Sequence, residues 1–353
     1  MNKKLLVLNL GIDSDNTSLA FTQTWVNKLS QHYEKIDVIT LRVGDRYKLN
    51  ENVNLYYINT KNSNKSKIEQ IIDLYKISKK LINNNEYVHC FAHMAPLQHL
   101  IAKYFLYKNQ INTTLWFTHA GPKFGIKWVI LWLSSYLANN IVTASNYSFP
   151  FKFKKIIITG HGINFDKFYH NKENYELQNF LILSRISKSK NIDNTLENFT
   201  KVKNFKNFSL DIIGGTLNKD DEEYLEYLKI KYFKYRNINF LGKKSHDSLP
   251  SILKKYDVSI NNAPRGFFDK AVLESAAAGL ICFYKSDDFN FLYEEPFQKI
   301  LLFTEDNLYK KIDFLESKSN TSIEDSVLFS QTEVEKHSLN NVVIQLVKIF
   351  NLN

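Results

Sequence analysis

Apolar residues gather in short runs separated by stretches of helical spacing, and that rhythm predicts the elements. Residues 5–10 are almost continuously apolar and stop at Gly11, the pattern of a strand buried on both faces of a parallel sheet. A polar loop from Gly11 to Thr17 then leads into a helix through Trp25 and Leu29. Residues 37–41 and 53–58 read as strands and 65–83 as a helix. Residues 87–91 read as a fourth strand, followed by a loop with His93, Met94 and Pro96. Residues 114–122 read as a strand and its loop, and 140–145 as the strand that closes this half. Between them, the apolar run 129–133 reads as a core helix packed on the sheet, although the basic and aromatic residues of 123–128 beside it also suit a membrane surface. The second half repeats the rhythm, with strands at 180–183, 209–213, 258–260 and 280–283, a helix at 247–256, and an apolar-periodic helix reaching Phe350. Strands alternating with helices predict doubly wound α/β domains whose ligands sit at the carboxyl ends of the strands.

Length and charge narrow this picture. A chain of 353 residues with 44% hydrophobic content predicts two domains with substantial cores. No apolar run reaches the roughly 20 residues that span a bilayer. Lys3 and Lys4 before residues 5–8 imitate a signal peptide, but the run is short and no small-residue cleavage site follows. Two cysteines, Cys90 and Cys282, do not make a disulfide framework, so a reducing cytoplasm is expected. The net charge of +10 favours anionic partners such as a nucleotide diphosphate, an anionic lipid surface or nucleic acid, and solubility alone accounts for it equally well. No His/Cys/Asp/Glu spacing suggests a metal site.

Candidate chemistry concentrates at residues 264–279, a Pro/Gly loop, a short helix and a glycine stop at Gly279. Asp269 stands as a first-turn acid, and Ala271 and Ala276–Ala278 keep the helix thin. Glu274 places a carboxylate among small and apolar residues, where burial is costly without a partner. Arg185 and Lys190 share one loop at a strand's carboxyl end, an arrangement suited to a diphosphate: Arg forks onto two oxygens and Lys acts as a point charge. His119 lies at another strand end, before a Gly-Pro turn. Gly214-Gly215 reads as a turn needing positive φ.

The stretch Asp269-Lys270-Ala271-Val272-Leu273-Glu274 resembles the nucleotide-sugar signature of the retaining, family-4-type glycosyltransferases of the GT-B fold, glycosyl transferases group 1. Gly266 stands where that family usually has a first glutamate. Residues 184–193 are similar to the family's Gly-Arg-Leu-(four residues)-Lys-Gly-Ile-Asp segment, with Ser184 and Asn191 in place of its glycines. Residues 160–168 resemble its interdomain passage.

The resemblance implies an α/β GT-B architecture, two Rossmann-like domains facing a central cleft. Residues 1–164 would form the acceptor side and 165–335 the nucleotide-sugar side, with 336–353 a helix returning to the first domain. It implies a retaining hexosyltransferase that moves sugar from a UDP-, GDP- or ADP-sugar to a glycan or lipid-linked hydroxyl, in cell-surface polysaccharide or glycoconjugate synthesis, with no metal required. Arg185 and Lys190 would meet the diphosphate at the amino end of the helix, Glu274 the ribose, and His119 the sugar. Gly266, Phe267, Asp269 and Lys270 would complete the donor loop, Lys243 would approach the base, and Gly11 would serve the first, acceptor-side loop. Peripheral contact with an anionic membrane at its inner face fits the same family habits, and nucleic acid is not favoured. The alternatives are a catalytically idle GT-B subunit, a DNA-modifying sugar transferase, and a sugar-nucleotide epimerase or phosphorylase.

Overall fold

The computed structural model describes residues 3–14, 20–63, 65–118, 121, 122 and 124–351. Residues up to Gly162 pack with those from Leu339 onward as one unit, and Ile163–Ser338 form a second.

The first unit contains β1 (Lys4–Ile12), α1 (Ala20–Ser30), β2 (Lys35–Val43), β3 (Val53–Asn59), α2 (Lys67–Asn84), β4 (Tyr87–His93), α3 (Pro96–Lys108), β5 (Thr113–Trp116), α4 (Ile126–Leu137), β6 (Asn140–Thr143) and β7 (Ile156–Ile158). Its seven strands form one sheet in the order β3-β2-β1-β4-β5-β6-β7, every pairing parallel. The period-2 alternation of β1 explains its unbroken hydrophobicity: Leu5 and Val7 enter one core, Leu6 and Leu8 the other, and all four are fully buried. One core includes α1 and the last helix of the chain, Leu339–Phe350; the other includes residues of α2, α3 and α4.

Three expectations for this half need correction. Gly11 does not begin a loop: β1 runs through Ile12, and Gly11 is buried opposite Arg42. Pro96 does not sit in a loop; it opens α3, where its missing N–H has no helical partner to lose. Helix α4 does not bury its apolar face. Its inward residues are Leu131, Ser134 and Ser135, because α3 presents His99, whose Nδ1 bonds Ser134 Oγ at 2.8 Å.

The second unit contains α5 (Phe165–Phe168), β8 (Asn179–Leu183), a 3-10 turn at Lys188–Lys190, α6 (Ile192–Phe199), β9 (Ser209–Ile213), α7 (Lys219–Tyr232), β10 (Ile238–Gly242), α8 (Leu249–Leu253), β11 (Val258–Asn261), α9 (Lys270–Ala277), β12 (Ile281–Tyr284), α10 (Phe297–Leu301), α11 (Leu308–Leu315) and α12 (Asn320–Glu335). The sheet is parallel in the order β10-β9-β8-β11-β12. From β8 the chain adds strands outward on one side, then crosses to β11 on the other, so a topological switch point lies between β8 and β11. The helix expected at 247–256 is shorter; α8 stops at Leu253, and a turn delivers Asp257 to β11.

The reading of Gly214-Gly215 as a positive-φ turn is also corrected. Neither residue has positive φ. The need for glycine at 214 is steric: a Cβ there would lie 1.8 Å from the carbonyl oxygen of Ser184, so β9 can pass beneath the β8 loop only without a side chain.

Candidate active site

Two loops leave the carboxyl ends of β8 and β11, flanking the switch point of the second unit. The β8 loop passes Ser184 and Arg185, tightens into the 3-10 turn, and enters α6 through Asn191. That residue has φ 48° and ψ 36°, the left-handed conformation a glycine would take most easily and asparagine tolerates. This is the physical reason the sequence can carry Asn191 where the resembling segment has glycine.

The β11 loop runs from Asn261 to Asp269, the N-cap of α9. Lys190 ties the two loops together. Its Nζ donates to both carboxylate oxygens of Asp269 at 2.6 Å, with 9% of the Lys190 side chain exposed. Asn261 Nδ2 donates to Asp269 Oδ2 at 2.9 Å, and Asn191 Nδ2 to the carbonyl of Asn262 at 3.2 Å. The Lys190 ammonium also lies 5.2 Å from the ring centre of Phe267. The Asp269 side chain makes no hydrogen bond to the helix's own N–H groups. Its charge is directed to Lys190 and Asn261.

The back of the β11 loop is held as firmly. Gly266 has φ 88°, and its N–H donates to Asp288 Oδ2 at 2.9 Å. A glutamate here would have to adopt a backbone that L side chains rarely accept, so Gly266 is a conformational requirement of this loop. Arg265 makes a two-pronged ion pair with Asp287, with Nε to Oδ1 at 2.7 Å. Phe268 is buried and stacks on Phe289 at 4.9 Å.

Glu274, one turn into α9, is 7% exposed, and its Oε1 meets Nε2 of His246 at 2.9 Å. His246 packs edge-on against Phe168. Lys270 stands one turn before Glu274. Although part of Lys270 reaches solvent, loss of hydration pushes its pKa down from the ordinary 10.5 to about 7, and the Glu274 carboxylate pulls the other way.

Of the residues singled out in the sequence, the structure gathers Lys190, Phe267 and Asp269 in direct contact, with Gly266 in the same loop and Lys270 and Glu274 on the helix that follows. Arg185 is exposed on the β8 loop, and its side chain makes no hydrogen bond or ion pair among the described residues. Lys243 is exposed after β10, its stem 3.3 Å from where a Cβ on Gly215 would lie. Gly11 belongs to the first unit, inside β1. His119 lies outside the described residues. Sequence reasoning missed Asn261, Asp288 and His246. Asn261 ends a strand at the switch point and could have been flagged on that ground. Nothing local to His246 marks it, because its partner is 28 residues away.

Two parallel-sheet Rossmann-like units, the second with its polar cluster at the switch point, define the GT-B fold. Residues 163–320, a little under half of the chain, match the family model for glycosyl transferases group 1. No curated protein matches the chain by sequence. Solved structures do match. HepE (Alr3699) of Anabaena in complex with UDP has a TM-score of 0.72 at 10% identity, with 99% of each chain covered. Sucrose-phosphate synthase of Thermosynechococcus elongatus has 0.74 at 11%, covering 99% of this chain and 98% of its own. A glycosyltransferase of Rickettsia africae has 0.73 at 15%, with the same coverage.

Proposed function

We propose that the protein is a glycosyltransferase that takes its sugar from a nucleotide diphosphate sugar. The observation that carries this reading is the Lys190–Asp269 pair across the two switch-point loops, at the amino end of α9, with Arg185 exposed on the same β8 loop. Breaking the bond between the anomeric carbon and phosphate leaves positive charge on the sugar and added negative charge on the departing diphosphate. Arg185, Lys270 and the first-turn N–H groups of α9 can meet that charge, and Lys190 can share its proton donors between Asp269 and a phosphate. On this reading the protein's own cations suffice and a metal is not required. The Glu274–His246 pair is suited to paired ribose hydroxyls, because a carboxylate accepts from both. The group 1 domain match supports a transferase, and the UDP in the solved HepE complex favours a UDP-sugar as the first donor to try.

Retention of configuration belongs to the proposal, by same-face attack with the leaving phosphate accepting the acceptor's proton. So does a glycan or lipid-linked acceptor, and so does the sugar-facing role of His119. Gly266 favours a second reading, an idle subunit that binds donor without turnover, since it removes a carboxylate from the donor loop.

Thermal-shift measurements with UDP, GDP, ADP and their sugars, followed by donor turnover, test both readings. A stabilising nucleotide sugar with turnover is the expected result, and stabilisation without turnover across the panel would select the idle subunit. Arg185→Ala, which breaks no side-chain hydrogen bond or ion pair among the described residues, should cost about 2–4 kcal/mol of transition-state stabilisation, by analogy with a lost oxyanion donor. Lys190→Ala is a poorer test because it also removes the ion-pair partner of the half-buried Asp269 carboxylate. Wild-type turnover in Arg185→Ala, or no response to any nucleotide sugar, removes the reading.

A further inference from the structure

Helix α4 is built inside out. Its inward side carries Ser134 and Ser135, while Ile126, Val129, Trp132, Leu133, Tyr136 and Leu137 are all exposed. At 100° per residue these six side chains cover an arc of roughly 140°. Phe124, just before the helix, is 85% exposed. Scattered surface hydrophobics need no explanation, but a contiguous apolar face marks a place where something docks. We propose that α4 is a membrane-docking face, and that its occupant is the surface of an anionic lipid bilayer.

Three observations choose this occupant. The first is charge. Between Glu86 and Asp166 the sequence contains no acidic residue and seven lysines. Lys127, Lys152 and Lys154 are exposed, whereas Lys155 is committed to the helix, donating to the carbonyls of Tyr136 (2.7 Å) and Ala138. A segment this basic is complementary to anionic headgroups, and two copies of it brought together about a two-fold axis would repel.

The second is the aromatic character of the face. Trp128, Trp132 and Tyr136 stack in sequence along the helix at 6.5 and 5.7 Å, with interplanar angles of 5° and 12°. Indole and phenol rings with one apolar and one polar end are the side chains that settle at headgroup depth.

The third is length. Twelve residues make a helix of about 18 Å, too short for the roughly 30 Å hydrocarbon core. Among the described residues no helix is long and apolar enough to cross a membrane. Helix α4 therefore lies in the plane of the interface, apolar face down, with neighbouring lysines reaching the headgroups.

The test uses the full chain and sedimentation with vesicles of phosphatidylcholine alone or with about a third phosphatidylglycerol. Binding to the phosphatidylglycerol vesicles is expected, weakening with salt and much lower on phosphatidylcholine alone. Trp132→Ser with Leu133→Ser should lower it by about tenfold or more. Lys152→Ala and Lys154→Ala should each lower it about fivefold. All of these positions are exposed, so the thermal midpoint should hold and loss of fold is separable. Absence of binding to the anionic vesicles, or binding unchanged in the Trp132/Leu133 double variant, overturns the proposal. A self-association abolished by that double variant, without vesicle binding, would assign the face to a second copy and overturn it as well. No nucleotide or turnover enters the readout, so its failure leaves the donor-site reading standing.

Discussion

Lys190 and Asp269 stand 79 residues apart in sequence and share one part-buried ion pair. Each alone would carry a desolvation cost of several kcal/mol, which explains why both sit beside further polar groups. Lys270 is a different case, since loss of hydration lowers its pKa to about 7. Between pH 7 and 10.5 the unfolded chain holds this proton more tightly than the folded protein. The Lys270 contribution to stability therefore rises with pH across that window and is least below it. A diphosphate beside Lys270 would return the proton. Nucleotide diphosphate binding should thus take up a fraction of a proton above pH 7 and weaken as pH rises. Calorimetry in buffers of different ionisation enthalpy checks this, and Lys270→Gln should abolish the uptake. Uptake unchanged in that variant would place the phosphate elsewhere. At this scale the sequence marked Glu274 as a carboxylate needing a partner, and it did not identify His246, which lies 28 residues away.

The loops and helices carry their own lesson. The sequence suggests positive φ at Gly214-Gly215, but the real requirement lies at 214 and is visible only in three dimensions, where the Ser184 carbonyl blocks any side chain. Gly214→Ala should destabilise the protein by about 1–3 kcal/mol in urea titrations, because strand β9 or the β8 loop must move. It should weaken nucleotide binding too, since the displaced loop carries Arg185. An unaltered midpoint would show that the loop yields cheaply. Helix α4 shows where periodicity fails. The hydrophobic run identifies a helix and, taken alone, argues for a core position. The rotation of the helix is set by its neighbour, through the His99–Ser134 contact and the Lys155 cap.

In the first unit, the final helix is the element that binds chain start to chain end. Leu339, Val342, Val343, Leu346, Ile349 and Phe350 are buried in the core built on β1 and α1, and Phe350 stacks on His89 at 4.6 Å. Leu346→Ala should cost about 2–5 kcal/mol. All four tryptophans lie in this unit, so urea unfolding followed by tryptophan fluorescence reports it directly. A midpoint shift too small for that loss would mean that the helix contributes little to the unit.

Alternation of short apolar runs with helical stretches was enough to determine doubly wound α/β sheets, because burial on both faces of a parallel strand is written locally, residue by residue; the GT-B class was implied by the resemblance carried by residues 184–193 and 269–274. The charged residues of the loops after β8 and β11 were legible as local motifs at strand ends. Only the tertiary structure decided which side of α4 faces outward, why position 266 must be glycine, and that Glu274 meets His246. Those outcomes depend on groups brought together by chain closure over tens of residues, and no short-range pattern encodes them.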